Sequence, residues 1–157
     1  MSEFPENILD LISRRILFYF EDEYTVVRRP VRVMDPALTI GLFSEMWAPV
    51  ADSYEIGSFE PVLGRYNIRV QLMVKAADEV EGRRKYTVDS KALKVILYRD
   101  PTIRLELTQL QEELLDTVER LKRFGIVGQR YLNNEVAGEM VYLSTTTCWI
   151  ETEFTSV

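Results

Sequence analysis

The sequence feature that most restricts the fold is a strict alternation of apolar and polar residues at positions 66–76. One side of this run carries Tyr66, Ile68, Val70, Leu72 and Val74, and the other carries Asn67, Arg69, Gln71, Met73 and Lys75. Because successive side chains of a strand point to opposite faces, a period of two predicts a strand with one buried face. We therefore expect residues 66–76 to be a main strand of a sheet.

The segment that leads into this strand, residues 45–64, has neither a helical nor a strand period. Besides Glu45, it contains four large apolar side chains and three carboxylates, namely Met46, Trp47, Tyr54, Phe59, Asp52, Glu55 and Glu60. An irregular loop so rich in aromatic residues is costly to leave in water. We predict that these residues contact a partner, such as a neighbouring subunit. The alternative is that Trp47, Tyr54 and Phe59 fold over the core of their own chain.

Other segments show recognisable periods. Apolar residues at spacings of three and four predict helices at 5–20, 78–98 and 102–123. Enrichment in β-branched residues predicts strands at 24–34 and 38–43, joined as a hairpin, and at 126–132 and 139–154, with a turn region from 133 to 138 between them. Asp78 and Asp100 are placed to cap the second and third helices, with Pro101 in the first turn of the third.

Separate groups of strands and helices predict an α+β fold, with a mainly antiparallel sheet and helices packed on one face. The length of 157 residues fits a single domain, residues 1–157. The last strand, residues 139–154, would span about 50 Å at ~3.3 Å per residue. It is therefore expected either to bend or to extend past its own domain and pair elsewhere.

The chain is acidic, with a formal net charge of −6. This charge argues against a protein that grips nucleic acid through phosphate contacts, and against an anionic membrane surface as a partner. No apolar run approaches the ~18 residues that a membrane span needs. The N-terminal residues are acidic where a signal peptide would be basic, so we expect a cytoplasmic protein.

The sequence offers little for catalysis. It contains no histidine and one cysteine, Cys148, so it lacks the usual general base and the ligands of a typical Cys/His zinc site. One interpretation makes Asp52, Glu55 and Glu60 ligands of a hard cation such as Ca²⁺, but these residues lack the spacing of a known calcium loop. The simpler interpretation is an acidic loop, either solvated or paired with basic residues of a partner. We expect no enzyme activity, no cofactor and no bound metal.

Three stretches of the sequence resemble a known family. They are SEMWAPVADSYEIGSFEPVLGRYNIRVQLMVKA (44–76), LYRDPTIRLEL (97–107) and QRYLNNEVAGEMVYLSTTTCWIETEF (129–154). Together they resemble the tail terminator proteins of long-tailed, non-contractile bacteriophages, and most closely those of phages of actinobacteria. The resemblance covers most of the chain, and none of the stretches is a catalytic signature.

The resemblance implies a small α+β subunit that assembles in the host cytoplasm and becomes part of the virion as a homohexameric ring. Such a ring caps the tail tube protein, ends tail polymerisation and then meets the head-completion or connector protein. The sheet is expected to face the ring lumen, through which genomic DNA passes without specific binding. An acidic chain fits such a conduit, because like charges avoid phosphate pairing. The family has no catalytic residues to transfer and no membrane partner.

Two alternatives stay open at this stage. One is another head–tail connector or head-completion protein of the neck, and the other is a small carboxylate-based enzyme. The resemblance also implies a strand within residues 110–124 that pairs with the C-terminal hairpin, whereas the helical period implies a helix there. The sequence alone leaves both interpretations of this segment open.

Overall fold

The structure is a computed structural model that describes residues 4–51, 61–112, 119–136 and 138–154. Its elements in chain order are α1 Glu6–Phe20, β1 Thr25–Val27, β2 Leu38–Ser44, β3 Ala48–Pro49, β4 Val62–Ala76, α2 Glu79–Arg99, α3 Pro101–Glu112, β5 Glu119–Val136 and β6 Glu139–Phe154. The strands form one sheet, so the predicted α+β class is confirmed.

The sheet has the strand order β1-β2-β4-β6-β5, and the short β3 also pairs with β4. All pairings are antiparallel except that of β1 with β2, which is parallel. Strand β6 therefore lies between β4 and β5, and β5 and β1 are the two outer strands. The mainly antiparallel sheet that the sequence predicts is confirmed.

The core lies between the helices and one face of the sheet. Alternate residues of the strands are fully buried there, including Ile40, Leu42, Ile68, Val70 and Leu72. They meet the apolar side of the helices, which includes Ile8, Ile12, Ile16, Leu93 and Ile103. The opposite face, called the open face below, carries Arg65, Asn67, Arg69, Gln71 and the residues paired with them across the neighbouring strands. The alternation at 66–76 thus separates a buried face from an accessible one.

The helix ends follow from local chemistry. Helix α1 stops where Glu21 and Asp22 adopt left-handed backbone angles, with φ of 46° and 63°. The Asp78 side chain accepts hydrogen bonds from the backbone N–H groups of Val80 and Glu81, which caps α2 as predicted. The Asp100 carboxylate accepts a bond of 2.9 Å from the N–H of Ile103, so it caps α3 as predicted.

The prediction of one helix over 102–123 is wrong in its last part. Helix α3 ends at Glu112, residues 113–118 lie outside the described part of the chain, and residues 119–123 belong to β5. The strand implied by the family resemblance is the one that forms, because Glu119–Val136 pairs along its length with β6. Cross-strand pairing here overrides the helical spacing of the leucines.

The predicted hairpin of residues 24–43 is also wrong. Strand β1 has three residues and lies parallel to β2, so residues 28–37 form a crossing connection and not a tight turn. This connection lies over the open face. The backbone N–H of Val31 donates to Gln71 at 2.9 Å, and Lys75 donates to the carbonyl of Val33 at 2.7 Å. Arg29 and Asp35 close the connection with a two-point ion pair.

The C-terminal strands differ from the prediction mainly in β5. Strand β6 has the predicted bounds, but β5 begins before residue 126 and continues through Asn133 and Asn134, with the turn at Gly138 (φ 81°). The long last strand was expected either to bend or to pair outside its own domain. The structure does not show the second alternative. All its residues from Met140 to Phe154 face partners in β4 of the same sheet.

Candidate interaction surface

The structure places two of the seven residues predicted to bind a partner. Met46 is 91% exposed, whereas the neighbouring Trp47 is half-buried. The other five predicted residues, Asp52, Tyr54, Glu55, Phe59 and Glu60, lie outside the described residues. The surface around Met46 and Trp47 is therefore the described part of the predicted contact.

Trp47 packs against its own sheet. Its indole N–H donates to the hydroxyl of Thr152 at 3.1 Å, and its ring meets Phe154 edge to face with 5.2 Å between centroids. Gly64 makes room for the indole, since a Cβ at that position would lie 2.0 Å from the ring. For Trp47, this arrangement agrees with the alternative expectation that it folds over the core of its own chain; Tyr54 and Phe59 lie outside the described residues. The glycine at position 64 was the available sequence signal.

A buried polar network continues from Trp47 into the sheet. The Thr152 hydroxyl donates to the Glu119 carboxylate at 2.7 Å, and the Tyr66 hydroxyl donates to the same carboxylate oxygen at 3.0 Å. Burial, and then the bond to Glu119, raise the pKa of Tyr66 well above its ordinary value. The network joins β4, β5 and β6 beneath the indole, so the position of Trp47 depends on three strands.

A separate polar cluster, centred on Glu151, lies on the open face of the sheet. This carboxylate is 3% exposed and accepts hydrogen bonds from Arg123 (two of 3.1 Å) and Arg65 (3.2 Å). The Arg65 guanidinium also lies 4.2 Å from the ring centroid of Trp149. The bonds from Arg123 outweigh burial and, with Arg65, lower the pKa of Glu151. Glu151 therefore stays charged between its two arginines.

Glu45, the residue before Met46, is held in a similar way. It accepts hydrogen bonds from the Nε of Arg69 at 2.8 Å and from Asn67 at 3.4 Å. The bond from Arg69 is the main reason that the pKa of Glu45 is lowered, against a smaller effect of burial. The backbone that presents Met46 is thus fixed to β4.

The open face holds more cations than carboxylates although the whole chain is acidic. Register and ion pairs assign to it Arg65, Arg69, Lys75, Arg120, Lys122, Arg123 and Arg130, against Glu139, Glu151 and Glu153 on the same strands. Many of the carboxylates lie instead on the helices and the turns around them. The net charge of the chain therefore does not give the charge of this face.

Strand β5 has an accessible outer side. Near its start, the side chain of Gln111 donates to the carbonyl of Lys122 at 2.8 Å, which covers that part of the strand. Beyond it, Val127, Tyr131 and Leu132 are 67%, 57% and 62% exposed. Within the part of the chain that the structure describes, β5 pairs with β6 alone. Residues 124–133 are called the outer edge of β5 below. The sequence did not predict this edge. Residues 102–123 were interpreted as a helix, and the strand was predicted only at 126–132.

An apolar cavity of about 300 Å³ lies between the helices and β5. Its lining includes Ile12, Ile68, Leu107, Phe124, Cys148 and Ile150. Burial raises the pKa of the Cys148 thiol to about 12, so this side chain stays protonated at neutral pH. Cys148 thus behaves as a small apolar residue of the core.

Within 4–51, 61–112, 119–136 and 138–154, no three or more acidic or cysteine side chains gather into a group that could hold a metal ion. In the same ranges, no helix is both long enough and apolar enough to cross a membrane.

Comparison with known proteins gives similarity to solved structures and no match in sequence. No family model matches the sequence, and no curated protein matches it. Among solved structures, the chain is similar to a chain of the "Virion of native gene transfer agent (GTA) particle", with 9% sequence identity and a TM-score of 0.43. The similarity covers 97% of this chain and 99% of that chain.

Proposed function

We propose that this protein is a structural virion protein of a bacteriophage tail, in the role of tail terminator. Six copies form a ring that caps the tail tube, ends tail polymerisation and helps to join the tail to the head. The partners are further copies of the chain, the tail tube protein and a head-completion or connector protein. The role is mechanical, without catalysis or a cofactor.

One observation carries the proposal. The resemblance to tail terminators implies a strand within 110–124 that pairs with the C-terminal hairpin, against the helical period of the same residues. In the structure, β5 begins at Glu119 and pairs with β6 from Glu119 opposite Phe154 onwards. The resemblance, which was recognised in other segments, therefore predicted a strand where the spacing of the apolar residues indicates a helix. This agreement supports the proposal.

The contact surface around Met46 also supports assembly. A methionine that is 91% exposed is held on a rigid base, since Glu45 is bound to Arg69 and Trp47 to Thr152 on either side of it. Met and aromatic residues are enriched where protein surfaces meet. We propose that Met46 and Trp47, with Asp52, Tyr54, Glu55, Phe59 and Glu60 of the adjoining loop, contact a neighbouring subunit or the tube.

The proposed passage of DNA needs a different physical basis from net charge. If the open face lines the lumen, DNA meets a surface rich in arginine. Arg65 and Arg123 are bound to Glu151, and Arg69 is bound to Glu45. An arginine that is already paired within the protein neutralises DNA phosphates less well. Fewer counterions are then released from the DNA, which keeps binding weak. We therefore propose that paired arginines, and not a uniformly acidic wall, allow DNA to slide.

Deletion of the gene from its phage tests the role directly. The expected result is overlong tails, or tails that do not join heads, in electron micrographs. Complementation with the unaltered gene is the control and should restore tail length. Tails of normal length with heads that leak DNA would instead favour the alternative, a head-completion protein of the neck. Tails of normal length on full heads would refute both.

Native mass spectrometry tests the ring independently. The expected species contains six copies of the 18.3 kDa chain. A divalent cation titration, followed by thermal shift, checks the carboxylate-based enzyme alternative. A shift that disappears on substitution of Asp52, Glu55 or Glu60 would favour a metal site and count against a purely mechanical role.

A further inference from the structure

We propose that the apolar cavity between the helices and β5 binds a single-chain carboxylic acid of about ten carbon atoms, with its chain inside and its carboxylate at Arg104. The inference goes beyond the proposed function and does not depend on the ring, because the site lies within one copy of the chain. Residues of α1, α2, α3, β4, β5 and β6 all contribute to its lining. A ligand in this cavity therefore contacts helices and sheet at once.

The interior of the cavity is apolar. Ile12, Leu107 and Ile150 are buried in its lining, and Phe124 and Ile126 of β5 are half-buried there. Protein interiors contain few voids larger than a water molecule, so an apolar space of about 300 Å³ is unusual. A dry apolar cavity of roughly 150 Å³ takes up benzene, so twice that volume holds an apolar chain of about ten carbon atoms.

Two exposed residues of the lining, Tyr98 and Arg104, mark the side on which the cavity opens to solvent. Among the described residues that line it, Arg104 is the only charged one. Arg104 forms no ion pair with a described residue, in contrast to Arg15 of α1, which is bound to Asp100. An unpaired cation beside an apolar space fits a ligand that joins an apolar chain to an anionic end.

Charge selects the ligand among chains of the same length. A carboxylate at the open side of the cavity stays partly hydrated and gains Arg104, whereas an ammonium group would meet a like charge there. A neutral alcohol gains burial of its chain alone. A two-chain membrane lipid does not fit a volume for about ten carbon atoms, and the acidic protein would be repelled by an anionic bilayer. These arguments favour a free, single-chain carboxylate.

A chain-length series with the purified full-length protein tests whether the chain of the ligand lies in the cavity. Isothermal titration calorimetry gives the Kd of hexanoate, octanoate, decanoate and tetradecanoate. Affinity should rise about fourfold for each added methylene up to decanoate, because each one is buried, and should then level off when the cavity is full. An undiminished rise from decanoate to tetradecanoate would show a chain on an open surface and overturn the inference.

Two variants that fill the cavity test the location independently. Cys148→Leu enlarges a buried residue of the lining and Ile126→Trp enlarges a half-buried one, so a failure of one variant to fold leaves the other. Each should weaken decanoate binding about tenfold or more, because the space is occupied. Val127→Trp on the outer edge of β5 is the matched control, since its side chain is 67% exposed and does not line the cavity. Unchanged decanoate binding in a filling variant that circular dichroism shows to be folded would overturn the site.

Arg104→Gln tests the position of the carboxylate. The variant should weaken decanoate binding about fivefold, as for an exposed ion pair, and should leave the Kd of decanol unchanged. Arg99→Gln is the matched control, because Arg99 is also an exposed arginine on a helix but does not line the cavity. Equal Kd values for decanoate and decanol in the unaltered protein, or equal losses for both in Arg104→Gln, would overturn the assigned carboxylate.

Thermal unfolding and vesicle binding complete the test. Decanoate at about a hundred times its Kd should raise Tm by about 5–10 °C, because a ligand inside the core binds the folded chain alone. An unchanged Tm would overturn the inference. Vesicles of equal parts phosphatidylcholine and phosphatidylglycerol should not sediment the protein, and sedimentation would show a membrane lipid as the ligand in place of the free acid. These measurements do not involve ring formation or tail length, so the inference and the proposed function fail separately.

Discussion

Arg15 and Asp100 form a two-point ion pair that joins α1 to the start of α3. The Nε and Nη2 atoms of Arg15 each donate to one oxygen of the carboxylate at 3.0 Å. The Asp100 side chain has no exposed surface, and it also accepts bonds from the Tyr19 hydroxyl at 2.7 Å and from the N–H of Ile103. Burial alone would raise the pKa of Asp100, but these donors outweigh it and lower the pKa. One carboxylate therefore joins α1 to α3 and caps the N-terminus of α3.

Replacing Asp100 is expected to lower stability strongly. Asp100→Ala removes the cap of α3 and leaves the Arg15 guanidinium without its partner, which costs roughly 3 kcal/mol of unfolding free energy. For a chain of this length, that loss corresponds to a fall in Tm of about 6–12 °C. Urea unfolding followed by circular dichroism measures it. The control is Glu106→Gln, which removes an exposed pair with Arg14 and should change stability by less than about 1 kcal/mol.

Stability should be nearly independent of pH between about 6 and 8. The chain has no histidine, so few side chains titrate in this range. The pKa values of Asp100, Glu151 and Glu45 are lower in the folded than in the unfolded chain, so their contribution is present above about pH 4 and is lost as pH falls further.

On the alkaline side, burial raises the pKa of Tyr86 to about 12 and raises that of Tyr66 as well. The unfolded chain releases the Cys148 proton from about pH 8.5 and the tyrosine protons from about pH 10, so stability should fall as pH rises above about 8.5. Thermal unfolding scans across the full pH range measure the loss of stability at acid and at alkaline pH. A marked change in Tm between pH 6 and 8 would contradict the predicted pH profile. Asp100→Asn should make the loss of stability at acid pH smaller.

The contact between Gly64 and Trp47 predicts a strong effect from one methyl group. Gly64→Ala would place a Cβ 2.0 Å from the indole ring, which has to leave its site. We expect a loss of roughly 2–3 kcal/mol, typical of an overpacked core. Gly128→Ala is the matched control, because a Cβ there meets nothing within 4 Å. The double variant Gly64→Ala with Trp47→Ala should be less destabilised than the sum of the single variants, as coupled sites require.

Substitutions of the adjacent residues Met46 and Trp47 should have different effects on assembly and on folding. Trp47→Ala removes the packing on Phe154 and the bond to Thr152, so it should lower monomer stability by about 2 kcal/mol. Met46→Ala should change monomer stability by less than about 0.5 kcal/mol, because its side chain is exposed. If Met46 belongs to a subunit contact, the same variant weakens ring formation in native mass spectrometry. Unchanged assembly would remove Met46 from the proposed surface.

The Cys148 thiol should report on unfolding. It is buried and its pKa is raised to about 12, so a thiol reagent at pH 8 should react with the folded protein far more slowly than with the protein in urea. The rate of labelling is then limited by opening of the sheet around β6. Rapid labelling of the native protein would show that the neighbouring cavity admits the reagent.

The elements that the sequence predicts correctly are those whose side-chain period is intact. Strand β6 has the predicted bounds, α1 differs by one residue, and the predicted caps Asp78 and Asp100 are both present. Strand β4 extends further towards its N-terminus than predicted, because residues 62–65 pair with β6 despite their glycine. Regular alternation and capping side chains are local signals, so they can be recognised without knowledge of the fold.

Strand β5 shows why the rest could not be predicted. Its pairing with β6 contains two irregularities, between Leu121 and Arg123 and between Ile126 and Gly128. Each irregularity inserts one residue into β5. The core is therefore faced by odd-numbered residues on one side of it and by even-numbered residues on the other, so a period of two never persists for long. The leucines at helical spacing then dominate the pattern. The parallel pairing of β1 was equally hidden, because the connection from β1 to β2 is held across the sheet by the bond from Val31 to Gln71, 40 residues away.

The central position of β6 has a consequence for synthesis on the ribosome. It is the last of the described strands in chain order, yet it lies between β4 and β5. Until it emerges, β4 has an unpaired side and β5 has no partner among the described strands. Nascent chains therefore expose two long strand edges, and folding depends on contacts between distant positions such as Val62 and Phe154. Such topologies fold slowly, so chaperone occupancy during translation should persist until residues 139–154 have been made.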